Sequence, residues 1–266
     1  MVIDFHTHAF PEKVAQRAIP DLQAKIRLQP QTNGTLQDLA EKMPCWGIDM
    51  SVICNIATNP RQQTNVNNFA LSTREQFPSL YALGSIHPDS DSIEDELERL
   101  LEGGIRGIKI HPDYMGHDIN DKSFDRVFEI CSEKGIFVIT HAGFDVCSPD
   151  HIHATPAMIR EVIDRYPSLK LVAAHFGGNL MFDEVLDKLC GRDIYIDTSL
   201  VYVEKYNRDE LSAVLRAHAP ERILYGSDVP WCHPGENVRF IEGFGLGDSI
   251  NEKIFYTNAA ELLGLK

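Results

Sequence analysis

Eight short apolar or β-branched runs recur along this chain with helical patterns between them, and no other feature constrains the fold as tightly. The runs cover residues 2–3, 51–56, 80–83, 105–110, 136–139, 169–174, 194–196 and 222–225. After the first, their starts are spaced by roughly 25 to 33 residues, room for a strand and a crossover helix each time, which implies a parallel sheet. Eight such units within 266 residues predict an α/β fold of the (β/α)8 TIM-barrel class, a single domain over residues 1–266 with no interdomain linker.

The segments between the runs read as amphipathic helices. One carries Ile93, Leu97, Leu100 and Leu101 on its apolar stripe, with Glu94, Asp95, Glu96 and Glu98 expected in water; another carries Phe124, Val127, Phe128 and Cys131. Gly103-Gly104, Gly135 and Gly191 follow helical stretches, and Thr155-Pro156 reads as an N-cap with proline at the first helical position. The first two runs stand nearly twice the usual distance apart. Residues 11–33, with a helix-like stretch over 12–28, are therefore an insertion in the first βα loop, on the face where barrels assemble their sites. It reads equally as a substrate lid or as a surface decoration.

The ends of these runs carry the chemistry. Asp4-Phe5-His6-Thr7-His8, Thr140-His141-Ala142, Ala174-His175-Phe176 and Gly226-Ser227-Asp228 place imidazoles and a carboxylate at the C-terminal ends of runs one, five, six and eight. In a strand, alternate side chains share a face, so Asp4, His6 and His8 point together. A histidine at one strand end can simply satisfy backbone groups. Donors of this kind at four strand ends of one barrel instead predict a divalent metal site, because only such a fold gathers them. Asp228 among apolar neighbours costs several kcal/mol unless a cation meets it. Three imidazoles and a carboxylate suit Zn2+, with Mn2+, Fe2+ or Co2+ of similar fit, and a bound ion that lowers the pKa of its water would supply hydroxide near neutrality.

Composition narrows the partners. The formal net charge of -14, with no basic run, argues against nucleic acid and anionic membranes and for a small-molecule substrate. No stretch is apolar and long enough to span a membrane, and the N-terminus lacks a secretory pattern. The six scattered cysteines, without a CxxC pair, read as reduced thiols, and a cytoplasmic location is expected. Cys54 and Cys131 read as core, Cys147 and Cys232 as pocket candidates. The oligomeric state is open, a homodimer included.

With these residues in place, the chain resembles the amidohydrolase superfamily, and within it the amidohydrolase-related (amidohydrolase 2) family that includes decarboxylases of the aminocarboxymuconate-semialdehyde type. The similarity spans the whole chain. It rests on the opening Asp4–His8 segment, Gly107-Ile108-Lys109-Ile110-His111-Pro112, Thr140-His141-Ala142-Gly143, His175-Phe176-Gly177-Gly178, Gly226-Ser227-Asp228-Val229-Pro230-Trp231 and the terminal Asn258-Ala259-Ala260-Glu261-Leu262-Leu263-Gly264-Leu265. The resemblance implies that His6, His8 and His141 bind the principal metal, with Asp228 as fourth ligand or as base, and that His175 is catalytic or lies behind the ligands. In some superfamily members the lysine of the fourth strand is carbamylated and bridges two metals. Lys109 has the right type, and so does an ammonium that binds a substrate carboxylate or one that offsets Asp4; His111 shares its side of the strand. One metal is expected, two if Lys109 is carbamylated.

Two activities follow. A metal-activated water hydrolysing a small amide, lactone or ester is the first reading; non-oxidative decarboxylation of an aromatic or unsaturated acid, with His175 supplying the proton that replaces CO2, is the alternative. A non-catalytic metal-binding barrel is the third. Trp231, Phe144 and Tyr114 are expected to wall the substrate pocket, His87, Asp197 and His233 to line its margin, His151, His153 and His117 to be solvated, and His218 to be structural.

Overall fold

The computed structural model describes residues 1–199 and 206–265. Its eight parallel strands are β1 (Ile3–Thr7), β2 (Met50–Ile53), β3 (Leu80–Ala82), β4 (Gly107–Ile110), β5 (Phe137–Thr140), β6 (Leu171–Ala173), β7 (Tyr195–Asp197) and β8 (Ile223–Leu224). Continuous pairing runs β1-β2-β3 and β4-β5-β6-β7-β8. The two seams are closed by backbone bonds: Lys109 N–H to Gly84 O at 2.8 Å beside β3, and Phe5 N–H to Tyr225 O at 2.8 Å and His8 N–H to Val229 O at 2.7 Å between β8 and β1. Beyond β1, no strand is longer than the apolar run that announces it.

The crossovers are helical. They include α1 (Glu12–Ile26), α2 (Leu36–Trp46), α3 (Gln63–Gln76), α4 (Ile93–Glu102), α5 (Pro112–Met115), α6 (Asp125–Lys134) and α7 (Pro156–Arg165). After these come α8 (Phe182–Lys188), α9 (Arg208–Ala217) and α10 (Pro234–Glu242). Their ends follow the sequence signals: the Thr155 hydroxyl accepts from Met158 N–H ahead of Pro156, and α6 stops at Gly135 with φ 69°. On α4 the expected polar face is broken by Glu96, which is buried rather than solvated. Its carboxylate accepts from Asn67 Nδ2 and from Arg99, each at 2.7 Å, so the charge enters the α3–α4 contact already paired.

The barrel floor shows how residue size positions the site. Gly107 on β4 pairs in register with Phe137 on β5, and a Cβ at Gly107 would come within 2.2 Å of the Phe137 ring. The missing side chain is what lets that ring fill the floor below Lys109. Two helices stand between β1 and β2: α1, which ends at Arg27 in the left-handed region (φ 62°), and α2 after it. Ala18, Leu22 and Ile26 of α1 line the central cavity.

Candidate metal centre

His6 is buried inside the barrel, and His8, just past the end of β1, is partly exposed on the same side. Asp228 reaches them from beyond β8: its Oδ1 lies 3.0 Å from His8 Nε2 and 3.8 Å from His6 Nε2. The Asp228 backbone is left-handed, φ 66°, and its N–H donates to His6 O at 2.9 Å. That conformation is uncommon for a non-glycine residue, though open to aspartate, and here the turn aims the carboxylate at the β1 pair. Burial would raise the Asp228 carboxyl, but the His8 hydrogen bond and the neighbouring His6 and His175 hold it well below the ordinary range.

Behind His6 stands Asp197, at the end of β7 and wholly buried. Its Oδ2 faces His6 Nδ1 at 2.8 Å, while Oδ1 accepts from the backbone N–H of His175 at 3.1 Å and of Ser199 at 3.0 Å. Burial opposes its charge; His6, then His175 and Lys109, outweigh that and keep it ionised. An ionised acceptor at Nδ1 fixes the His6 tautomer, with the proton on Nδ1 and the lone pair on Nε2, on the side of Asp228. Burial first, and the Lys109 charge second, lower His6 to about 4, so its ring is neutral at pH 7.

A second relay does the same for His141. Nδ1 of His175 lies 3.1 Å from the Ser199 carbonyl and donates to it, so His175 Nε2 accepts from His141 Nδ1 at 3.0 Å. That leaves a lone pair on His141 Nε2, which is buried and has no hydrogen-bond partner. Such an orphan costs about 1–3 kcal/mol, a cost that a cation removes. Neutral imidazoles with oriented lone pairs, beside an ionised carboxylate, are the donor set a divalent ion requires. One donor atom each from His6, His8 and Asp228 lies within 4.8 Å of the others; His141 falls outside that span and groups instead with His111 and Asp145. The residues fit a divalent cation, three of the four expected ligands already together.

The amidohydrolase family model matches residues 3–265, and the alternation of strand and helix, the closed barrel and the strand-end donors agree with it. The chain belongs to the amidohydrolase family. A 2-amino-3-carboxymuconate-6-semialdehyde decarboxylase of Dictyostelium discoideum is 24% identical over 213 residues, 66% of this chain and 58% of the relative, so the chain matches little more than half the length of that protein. A candidate 2-pyrone-4,6-dicarboxylic acid hydrolase of Pseudomonas putida superposes with TM-score 0.71 at 21% identity, covering 100% of this chain and 98% of that one. A 5-carboxyvanillate decarboxylase of Novosphingobium aromaticivorans, solved with manganese and 4-hydroxy-3-methoxy-5-nitrobenzoic acid, gives TM-score 0.70 at 16% identity, with 100% and 96% covered. These two likenesses establish the shared barrel.

Within this amidohydrolase barrel, Lys109 reaches the centre. Its Nζ lies 3.2 Å from His6 Nε2, while Asp4 accepts from the Ser227 N–H at 2.9 Å and from its hydroxyl, tying β1 to the end of β8. Burial pushes the Asp4 carboxyl up to about 7 against those bonds. His111 stacks between Tyr114 at 4.0 Å and His141 at 4.2 Å, and its Nε2 pairs with Asp145 at 3.1 Å. Trp231, Phe144 and Tyr114 line the cavity, together with Cys147 and Cys54.

Several margin residues have other work. Asp197 lies behind His6 rather than on the wall, His233 caps α10 by accepting from Glu236 N–H, and His87 is buried and accepts from Asp89 N–H at 3.2 Å. His218 binds Ile194 O at 2.9 Å, a structural role as expected. Sequence reasoning missed Ser199 and Asp145 altogether. The available signal for Ser199 was its position two residues beyond Asp197, which puts both on one face of an extended segment.

Proposed function

We propose that this amidohydrolase is a metal-dependent carboxy-lyase that removes CO2 from a small aromatic or unsaturated acid. The observation that carries this reading is the division of the cavity, about 470 Å3 in volume. Phe10, Leu22, Ile26, Phe144, Val146 and Trp231 make apolar walls, while Lys109, the histidines and Asp228 gather on the floor. Such a cavity takes a flat apolar body against its walls and one carboxylate at its base. Lys109 is the single Lys or Arg among the described lining residues, which favours a monocarboxylate over a dicarboxylate.

His6, His8, Asp228 and His141 would hold one divalent ion, Zn2+ or Mn2+. When bound, the ion supplies Lewis acidity toward the substrate oxygens. Lys109 Nζ provides the fixed charge that meets the carboxylate. His175, anchored at Nδ1 by Ser199, accepts from His141 at Nε2 and so holds that ligand in place rather than supplying a proton. As the C–CO2 bond breaks, its electron pair stays on carbon, which takes a proton from solvent, and CO2 leaves.

The decarboxylase relative within the same family favours this over hydrolysis of an amide, lactone or ester, which would draw on the same residues. The test is a panel of hydroxybenzoates and muconate-like acids assayed for CO2, run beside lactones and esters on the metal-loaded protein. CO2 release lost in Lys109→Met, with metal content unchanged, is expected. Turnover of a lactone or ester with no CO2 from any acid would overturn the proposal in favour of hydrolysis.

A further inference from the structure

Outside the central cavity, the loops after β4 and β5 bring a second set of imidazole and carboxylate donors together. One donor atom each from Asp118, His151 and His153 lies within 4.8 Å of the other two. His151 Nε2 is 2.7 Å from Asp118 Oδ1, and the two histidine rings sit 4.4 Å apart, nearly perpendicular at 85°. The His151–Asp118 contact alone would be an ordinary surface ion pair, since His151 is exposed. His153 is not the solvated residue its sequence context predicts.

His153 is mostly buried, and its Nδ1 lies 3.2 Å from Oδ1 of Asp113, a carboxylate with 0% of its side chain exposed. Oδ1 also takes the His153 backbone N–H at 3.4 Å, and Oδ2 has no hydrogen-bond partner. The basic groups that face this carboxylate are two imidazoles, His153 and, at 3.6 Å from Oδ2, His111 Nδ1. A buried carboxylate in such company lacks a cation. Donation from His153 Nδ1 to Asp113 puts the lone pair on Nε2, and a carboxylate behind one ring nitrogen is the arrangement that orients an imidazole and raises its basicity toward a metal on the other.

We propose that Asp118, His151 and His153 form a second, surface site for a borderline divalent cation of the Zn2+ type, with Asp113 orienting His153. Two imidazoles and one carboxylate leave a position for water, and the ligand set selects Zn2+ and its first-row neighbours over Mg2+ or Ca2+. The site has a structural consequence for the cavity. The segment that ends in His151 and His153 begins with Phe144, Asp145, Val146 and Cys147, all cavity wall. It is tied to the loop after β4 by the Ile119 N–H to His153 O bond at 2.8 Å. A cation joining Asp118 to both histidines closes a second tie on the same pair of loops and fixes that wall.

The test uses tag-free, metal-stripped protein dialysed against Zn2+, with bound metal counted by elemental analysis and cleavage of the 144–153 loop followed by limited proteolysis. Native protein is expected to hold one more ion than a His151→Ala/Asp118→Asn variant, both exchanged residues being at the surface. Asp228→Asn is expected to keep this outer ion, and Zn2+ is expected to slow loop cleavage in native protein and Asp228→Asn but not in the double variant. Equal metal counts in the native and double-variant proteins would overturn the proposal. Because no substrate enters the assay, that result is independent of whether the central site decarboxylates.

Discussion

Asp197→Asn is the sharpest test of the idea that tautomers are preset for a metal. The substitution preserves shape but exchanges one acceptor oxygen for an NH2 donor. With the amide nitrogen at the Oδ2 position it would face His6 Nδ1, 2.8 Å away in the native protein, and drive the ring proton to Nε2, where it blocks ligation. Flipping the amide restores an acceptor to His6 but turns the NH2 toward the N–H groups of His175 and Ser199, 3.1 and 3.0 Å from Oδ1, and leaves two buried donors unpaired. Either orientation loses. Removing the partner behind a ligating histidine typically weakens metal binding 10- to 100-fold, about 1.4–2.8 kcal/mol, and because both orientations are penalised the expected loss lies toward the upper end. Competition of Zn2+ between the protein and a chromophoric chelator measures this, and 15N NMR of the His6 ring reports where the proton sits. Affinity within twofold of native, with the proton still on Nδ1, would refute the reasoning.

Three other outcomes follow from the structure. His6 titrates at about 4 in the fold against 6.5 when unfolded, so below pH 6.5 the unfolded chain takes a proton the native chain refuses, and stability falls as pH drops from 6.5 to 4. The gap of about 2.5 units is worth ~3 kcal/mol; urea unfolding of chelator-treated protein should fall more steeply over that range than for His6→Asn, and parallel curves would contradict it. Gly107→Ala would press a methyl into the Phe137 ring and is expected to destabilise by about 1–3 kcal/mol, a fall of roughly 2–10 °C in Tm by calorimetry, whereas an unchanged Tm would mean the floor is looser than its geometry. Leu22→Ala removes three carbons of half-buried surface from α1 where it lines the cavity; about 1 kcal/mol, near fivefold in KM with kcat kept, is expected if the insertion contacts substrate, and no change in either constant if it is decoration.

How far the sequence reaches can be argued from His6, Asp197 and Asp113. The strand-to-helix rhythm and the alternation that puts His6 and His8 on one face are local properties of the chain, so the barrel and the first donors were legible without coordinates. Asp228 was legible for a similar reason: a carboxylate at the end of an apolar run has to meet a cation. Asp197 was visible only as a residue at a strand end, because its work depends on which atom of His6, 191 positions away in sequence, it touches. The same is true of Glu96, whose burial on α4 depends on Asn67 from α3. Asp113 gave no signal at all, since a carboxylate after a proline in a short helix reads as solvated until two histidines from different segments close over it. Periodicity records which side of an element faces inward, while proton positions are decided by pairs of atoms across elements. In this chain the placement of the candidate ligands is therefore written along the sequence, and the tautomers that would make them competent are written only in the contacts between β1, β6 and β7.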